Sequence, residues 1–238
     1  MLVLYQVLRK LFTLSLYVGI GFGLVACDRS SESPESIVET PTATTDPVPS
    51  SISAILNGVQ IVMGIPDAWT GRKMDDGILI AEQRGPMHNS GKLMGMQIYV
   101  FVYSVSSFPP DITSDDHPAQ SVLERIVTQP SMIGDSAVSH PETFTWDGKD
   151  AAYYLLNDKD KNVSLVMAVM LEDQSQLVAI NISCPRSKAG SIRKALPGLL
   201  DELWVNNELM STSILEALPD PLIFPDYAYA EGATSTPE

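Results

Sequence analysis

The stretch Leu93–Val105 constrains the fold more than any other part of the chain, because it is apolar on both faces of a strand. Met96, Ile98, Val100 and Val102 fall on one side of a period-two pattern, and Tyr99, Phe101 and Tyr103 on the other. A strand with no polar face belongs inside a sheet that is covered on both sides. That excludes an open, half-solvated sheet and calls for a layered domain.

The rest of the middle supplies the layers. Val59–Met63 and Gly77–Glu82 read as strands, with Pro66 ending the first ladder. Pro118–Gln129 reads as a helix: Pro118 suits an early helical position, and Val122, Leu123 and Ile126 form a stripe. Asp115-Asp116-His117, just ahead of it, is placed to cap its N-terminus. Glu142–Trp146 and Ala151–Leu156 flank Asp147-Gly148, a strong hairpin signal. Val163–Leu171 and Gln176–Ser183 continue the meander. Lys188–Trp204 carries Ile192, Leu196, Leu199, Leu200 and Leu203 at helical spacing, with Pro197-Gly198 expected to kink or split it. The count gives an α+β fold: an antiparallel sheet of about six or seven strands flanked by helices.

The flanks differ in kind from this middle. Residues 1–27 have the parts of a signal peptide: Arg9-Lys10, then a nearly continuous apolar run from Leu11 to Leu24, shorter than the roughly 20 residues a spanning helix prefers. The run ends in Leu24-Val25-Ala26-Cys27, which resembles the lipobox of bacterial lipoproteins, so Cys27 is the expected lipidation site. Two other readings stay open, cleavage after Gly23 with ordinary secretion and an uncleaved anchor helix. Residues 28–54 are rich in Ser, Thr, Pro and acids and read as a flexible tether averaging about 25–30 Å end to end. The globular domain is expected over 55–218. An acidic, Pro-rich tail follows over 219–238, in which Leu222-Ile223-Phe224, Tyr227 and Tyr229 are able to dock on the domain.

The order of elements resembles the PsbP-like family, named for an extrinsic subunit of photosystem II and found also in small bacterial extracytoplasmic proteins. The residues that carry the resemblance are Gly58-Val59-Gln60-Ile61 leading to the corner Pro66-Asp67-Ala68-Trp69, then Gly77–Ala81, the hairpin Asp147–Asp150, Leu177–Ile182, and Leu199-Leu200-Asp201-Glu202-Leu203. Trp204 and the Pro197-Gly198 break depart from the family pattern. The resemblance implies an α/β/α sandwich that acts as an accessory or binding module, and it transfers no ligand-binding residue.

Composition and motifs narrow the function by exclusion. A formal net charge of −14 opposes phosphate binding, so nucleic acid is not an expected partner. His88, His117 and His140 lack paired metal-ligand spacing, and no cofactor or metal is expected. Asp158-x-Asp160-x-Asn162 begins like a calcium loop, but Val163 and Val169 stand where that loop needs Gly and Glu, so a hairpin turn is the expected role. Glu172-Asp173 falls in a predicted turn. There is no nucleophile elbow, no phosphate-binding glycine loop and no H-E-x-x-H, so no enzyme is expected. With Cys27 taken by lipid, Cys184 has no intramolecular partner and reads as a small buried hydrophobe. Trp69, Trp146 and Trp204 are expected in the core, and Met94 and Met96 on a buried strand face beside Met87. The reading is a non-enzymatic, lipid-anchored binding or accessory module on the outer face of the cell membrane, engaging a protein partner at the membrane surface. The alternative is a lipoprotein that holds a small ligand in a pocket between sheet and helix. Asp28, next to Cys27, also resembles the inner-membrane retention signal of two-membrane bacteria.

Overall fold

Asn57-Gly58, with φ of 50° and 86°, makes the first tight turn of the computed structural model and joins β1 (Ser51–Leu56) to β2 (Val59–Gly64). The structure describes residues 51–82, 93–108 and 116–227. The signal segment with Cys27 and Asp28, residues 28–50 of the tether, Met87, His88, Asp115 and residues 228–238 with Tyr229 lie outside the described residues.

Strand β1 begins at Ser51, four residues before the expected start of the globular domain at 55. Ile52, Ala54 and Leu56 alternate inward and pack on or in the core, so the ordered ladder reaches back to Ser51. Ile52 lies against Gly71 of β3 (Trp69–Lys73), where a Cβ would come 3.4 Å from its Cδ1. The next strands are β4 (Gly77–Glu82) and β5 (Gln97–Ser104). After helix α1 (Pro118–Val127) and one turn of helix, α2 (Pro130–Ile133), come β6 (Ser136–Val138), β7 (Glu142–Trp146), β8 (Lys149–Asp158), β9 (Asn162–Met170) and β10 (Gln176–Pro185). Helix α3 (Ala189–Leu200) leads to β11 (Leu203–Val205), β12 (Glu208–Leu209) and the short α4 (Ile214–Ala217).

The class is α+β, as the periodicities indicate, but the strands form two antiparallel sheets. The larger runs β3-β4-β5-β10-β9-β8-β6, with β7 also paired to β8; the smaller runs β1-β2-β11-β12. The apolar faces of β5 explain the layering. Ile98, Val100 and Val102 face the main core with Ile80, Met167, Leu165 and Ile180, covered by the inner face of the small sheet and by Ile192, Leu196 and Leu200 of α3. Phe101 and Tyr103 face the other side with Ala168, Ala179 and Tyr154, covered by Ala119, Val122 and Leu123 of α1.

Two local expectations are corrected. Helix α3 is not split at Pro197: it runs unbroken to Leu200, with Pro197 in its last turn, where the Asp201 N–H bonds the Pro197 carbonyl at 2.9 Å. It also stops short of Trp204, because Leu203 and Val205 point into the core as alternate residues of a strand. The second correction concerns the cap of α1. The N-cap residue His117 makes no side-chain cap bond, and the cap comes instead from Asp150, at the start of β8. Its Oδ2 accepts the Ala119 N–H at 2.7 Å and its Oδ1 lies 3.1 Å from His117 Nδ1. A carboxylate is favoured there by the unpaired amides of the first turn.

Beyond β12 the chain returns across the domain. The turn residues Asp147 (φ 52°) and Gly148 (φ 77°) end the β7–β8 hairpin, and Asp147 accepts the Ser211 N–H at 2.8 Å. Trp146, fully buried, donates its indole N–H to the Ser211 carbonyl at 2.8 Å. Leu222 and Phe224 of the acidic tail pack on the main core while Ile223 is 76% exposed, so docking of the tail involves two of those three residues.

Candidate binding face

The inner face of β1, β2 and β11 is apolar, and the outer face of the small sheet is not entirely polar. In β11, Leu203 and Val205 point inward and Trp204 outward, and in β2 Val59, Ile61 and Met63 point inward. Residues directly opposite on antiparallel strands share a face. Register therefore places Ser53, Val62, Trp204 and Leu209 in one outward row across all four strands, with Ile55 in the adjoining row opposite Gln60. Trp204 is 41% exposed, Leu209 48% and Ile55 75%. Trp204 thus corrects the core expectation: two residues of alternation, not helical spacing, set its direction.

The border of this row is acidic. Glu202 folds over Gly64 on the same outer face, its Oε2 2.0 Å from where a Cβ at that position would sit. Glu208, opposite the inward Val205 and so on the other face of the edge strand, reaches Lys149 Nζ at 3.2 Å, and the same ammonium lies 4.0 Å from Glu172. An indole and a leucine beside a carboxylate form a surface for another molecule's apolar anchor and basic rim.

The other residues singled out by sequence fall into structural roles. Asp158 Oδ1 accepts the N–H groups of Asp160 and Asn162 at 2.9 and 2.8 Å, and Oδ2 accepts the Asn162 amide at 2.9 Å. The calcium-like spacing is therefore a self-bonded turn, with burial raising the Asp158 carboxyl against those hydrogen bonds. His140 is exposed near Glu124, 3.5 Å away, and His117 sits beside Asp150. Among the described residues, no three of His, Cys, Asp and Glu are arranged to hold a metal ion. Asp173 is held below the usual carboxylate range by hydrogen bonds from Ser175, as a turn residue would be. Trp69 is half-buried against the main core, and Met96 is buried, but Met94 is 47% exposed because neither methionine lies in β5. Among the described residues no helix is long and apolar enough to cross a membrane.

Cys184 is fully buried at the end of β10. Burial pushes its thiol up to about 11, with Lys188 pulling the other way and Glu82 adding to the rise. In the unfolded chain the thiol ionises near about 8.5. Between those values the unfolded state releases the proton first, so stability falls as pH rises from about 8.5 to about 11 and is unaffected by this group below that window. Native Cys184 is expected to resist a disulfide-exchange reagent at pH 8 that labels it rapidly in denaturant. The urea midpoint should fall more steeply between pH 9 and 11 in the parent than in Cys184→Ala; equal slopes would remove the thiol from the account.

No family model and no curated protein matches the sequence. Solved structures with a similar arrangement include cyanobacterial PsbP (CyanoP) from Synechocystis sp. PCC 6803, at 13% identity and a TM-score of 0.43, covering 69% of this chain and 99% of that one. LpqN of Mycobacterium tuberculosis, described as involved in cell envelope biogenesis, is 11% identical with a TM-score of 0.42, covering 65% and 90%. The Ran-binding protein Mog1p of Saccharomyces cerevisiae is 15% identical with a TM-score of 0.36, covering 61% and 82%.

Proposed function

We propose that this chain is a non-enzymatic binding module, lipid-anchored through Cys27 on the outer face of a bacterial cell membrane. It engages a membrane-associated protein partner through the outer face of its small sheet. The observation that carries the reading is the outward row Val62, Trp204 and Leu209, of which Trp204 and Leu209 are exposed, on the sheet whose first strand follows the tether. Trp is the residue type most often found to dominate binding energy at interfaces, and this one is held rigidly by strand pairing on both sides. The flanking Glu202 favours a partner whose rim is basic and disfavours an anionic one. The tether gives that face a reach of about 25–30 Å from the anchor.

The test compares full-length protein in its native membranes with two variants. Cys27→Ala is expected to incorporate no labelled palmitate and to leave the membrane fraction. If it still labels and sediments, the anchor assignment falls. The double variant Trp204→Ala, Leu209→Ser should stay anchored and keep its stability to within about 0.5 kcal/mol, as surface changes do. It should lose the protein that copurifies with the parent after gentle solubilisation. Undiminished copurification would remove the small sheet from the interface.

A further inference from the structure

Asp220, Leu222, Phe224 and Asp226 stand two residues apart, and each of them meets the body of the domain. Asp220 lies 3.3 Å from Arg193 Nε of α3, Leu222 and Phe224 pack on the main core, and Asp226 accepts from Arg186 Nη2 at 3.3 Å. The residues between them turn to solvent: Pro221 is exposed, and so is Ile223. Alternation with a period of two is how an extended chain presents one side to its neighbour. Yet residues 222–227 belong to no helix or strand. The segment is therefore held by its side chains rather than by a ladder.

The domain meets this segment with polar groups as well as apolar ones. Asn157 of β8 shares the main-core face with Leu155 and Val163 by alternation and register, and it is fully buried. A buried amide in an apolar row costs stability unless it is bonded. This one donates to the Pro225 carbonyl at 2.9 Å, a backbone group that any residue would present there. Arg193 is fixed apart from the segment, because it also holds the Leu215 and Leu218 carbonyls at 2.6 and 2.7 Å. Arg186 is fixed from the other side, its N–H bonding the Lys161 carbonyl at 2.8 Å. The result is an apolar track with a guanidinium at each end, spanned by six residues of extended chain, about 20 Å. That span fits a peptide and exceeds a small ligand. Cations at both ends of the track, on a chain of net charge −14, favour a segment with acidic ends.

We infer that this track is a binding site for an extended segment of a partner protein, and that the chain's own tail occupies it as a strap. The tail shows the chemistry the site reads: two apolar side chains two residues apart, between acidic residues. The carboxylates of its two ion pairs are 75% and 98% exposed, so neither pair holds the strap strongly. Arg193 fixes the backbone as far as Pro219, so the strap is able to lift while α4 stays in place. A partner segment then competes with a tail whose effective concentration is on the order of millimolar. The track uses none of the residues on the outer face of the small sheet, and it stands independently of that face and of the anchor.

The experiment uses the full-length chain in detergent, carrying Leu222→Ser and Phe224→Ser to release the strap, and a fluorescent synthetic peptide of residues 219–227 as the probe. The variant is expected to stay folded with a lowered melting temperature and to bind the peptide saturably. The parent should bind it at least about 10-fold more weakly, because its own tail competes. A peptide carrying the same two serines should lose at least about 10-fold, the worth of its buried apolar side chains. Replacing either Asp of the peptide by Asn should cost about 2- to 5-fold at low salt. If the double variant does not fold, Phe224→Ala takes its place in the same titration. The inference is overturned if the released chain shows no saturable binding, if a scrambled peptide binds as tightly, or if the parent binds the probe as well as the variant does. A parent that dimerises at micromolar concentration and turns monomeric on strap release would make the occupant a second copy's tail, and would overturn the assignment to a partner.

Discussion

Trp146→Ala is expected to destabilise the domain by about 3–5 kcal/mol, the cost of removing a fully buried large aromatic. Trp146 is 0% exposed, its ring centroid lies 6.3 Å from that of Phe144, and Phe144 in turn lies 6.0 Å from Tyr153. The change also removes the indole donor to the Ser211 carbonyl, at 2.8 Å. That bond helps to pin the chain after β12 to the β7–β8 hairpin, together with Asp147. Trp146→Phe should cost less than Trp146→Ala, because it keeps most of the contact and loses the donor. Urea unfolding measures both, and tryptophan fluorescence gives a second readout. The buried indole should account for the blue-shifted part of the emission, since Trp204 is 41% exposed. A cost below about 1 kcal/mol for the alanine variant would mean that this corner repacks freely.

How much of this architecture was legible follows from which signals are local. The two apolar faces of β5 required two covering layers, and both are present. Asp147-Gly148 named its hairpin because positive φ at both positions is a local demand. Asn57-Gly58 carries the same signal, with alternation at Ile52, Ala54 and Leu56 before it, yet the Ser- and Pro-rich composition upstream masks a strand that begins at Ser51. The second sheet was hidden differently. Leu199, Leu200 and Leu203 satisfy helical spacing as well as Leu203 and Val205 satisfy a strand, and pairing with β2 decides between them. That pairing joins residues far apart in sequence, so no local pattern records it. Asp150 capping α1 is of the same kind. The binding face inherits this difficulty: whether Trp204 points in or out depends on the register of a three-residue strand.

The segment after α4 tests whether that return path is part of the domain's stability, and Arg193 is the residue that decides it. From α3 its guanidinium donates to the carbonyls of Leu218 and Leu215 at 2.7 and 2.6 Å and to that of Pro219 at 3.2 Å, and its Nε lies 3.3 Å from Asp220. Its side chain is 22% exposed, so these charge-assisted bonds are partly shielded from water. Farther along, Leu222 and Phe224 pack on the core and the buried Asn157 donates to the Pro225 carbonyl at 2.9 Å. Arg193→Ala leaves three carbonyls without this donor and is expected to cost about 2–3 kcal/mol. For a domain of this size that is a fall of about 5–10 °C in melting temperature. Arg193→Lys should recover less than half, because a compact ammonium cannot reach three acceptors as a planar fork does. By contrast Arg186→Ala, which breaks an ion pair with the almost fully exposed Asp226, should change stability by less than about 1 kcal/mol. Hydrogen exchange separates local from global effects. In Arg193→Ala the Leu218 amide, bonded to the Ile214 carbonyl, should exchange faster while the β8–β9–β10 amides change only with global stability. Unchanged exchange at Leu218 together with an unchanged melting temperature would show that the apolar contacts of Leu222 and Phe224 alone hold the segment in place.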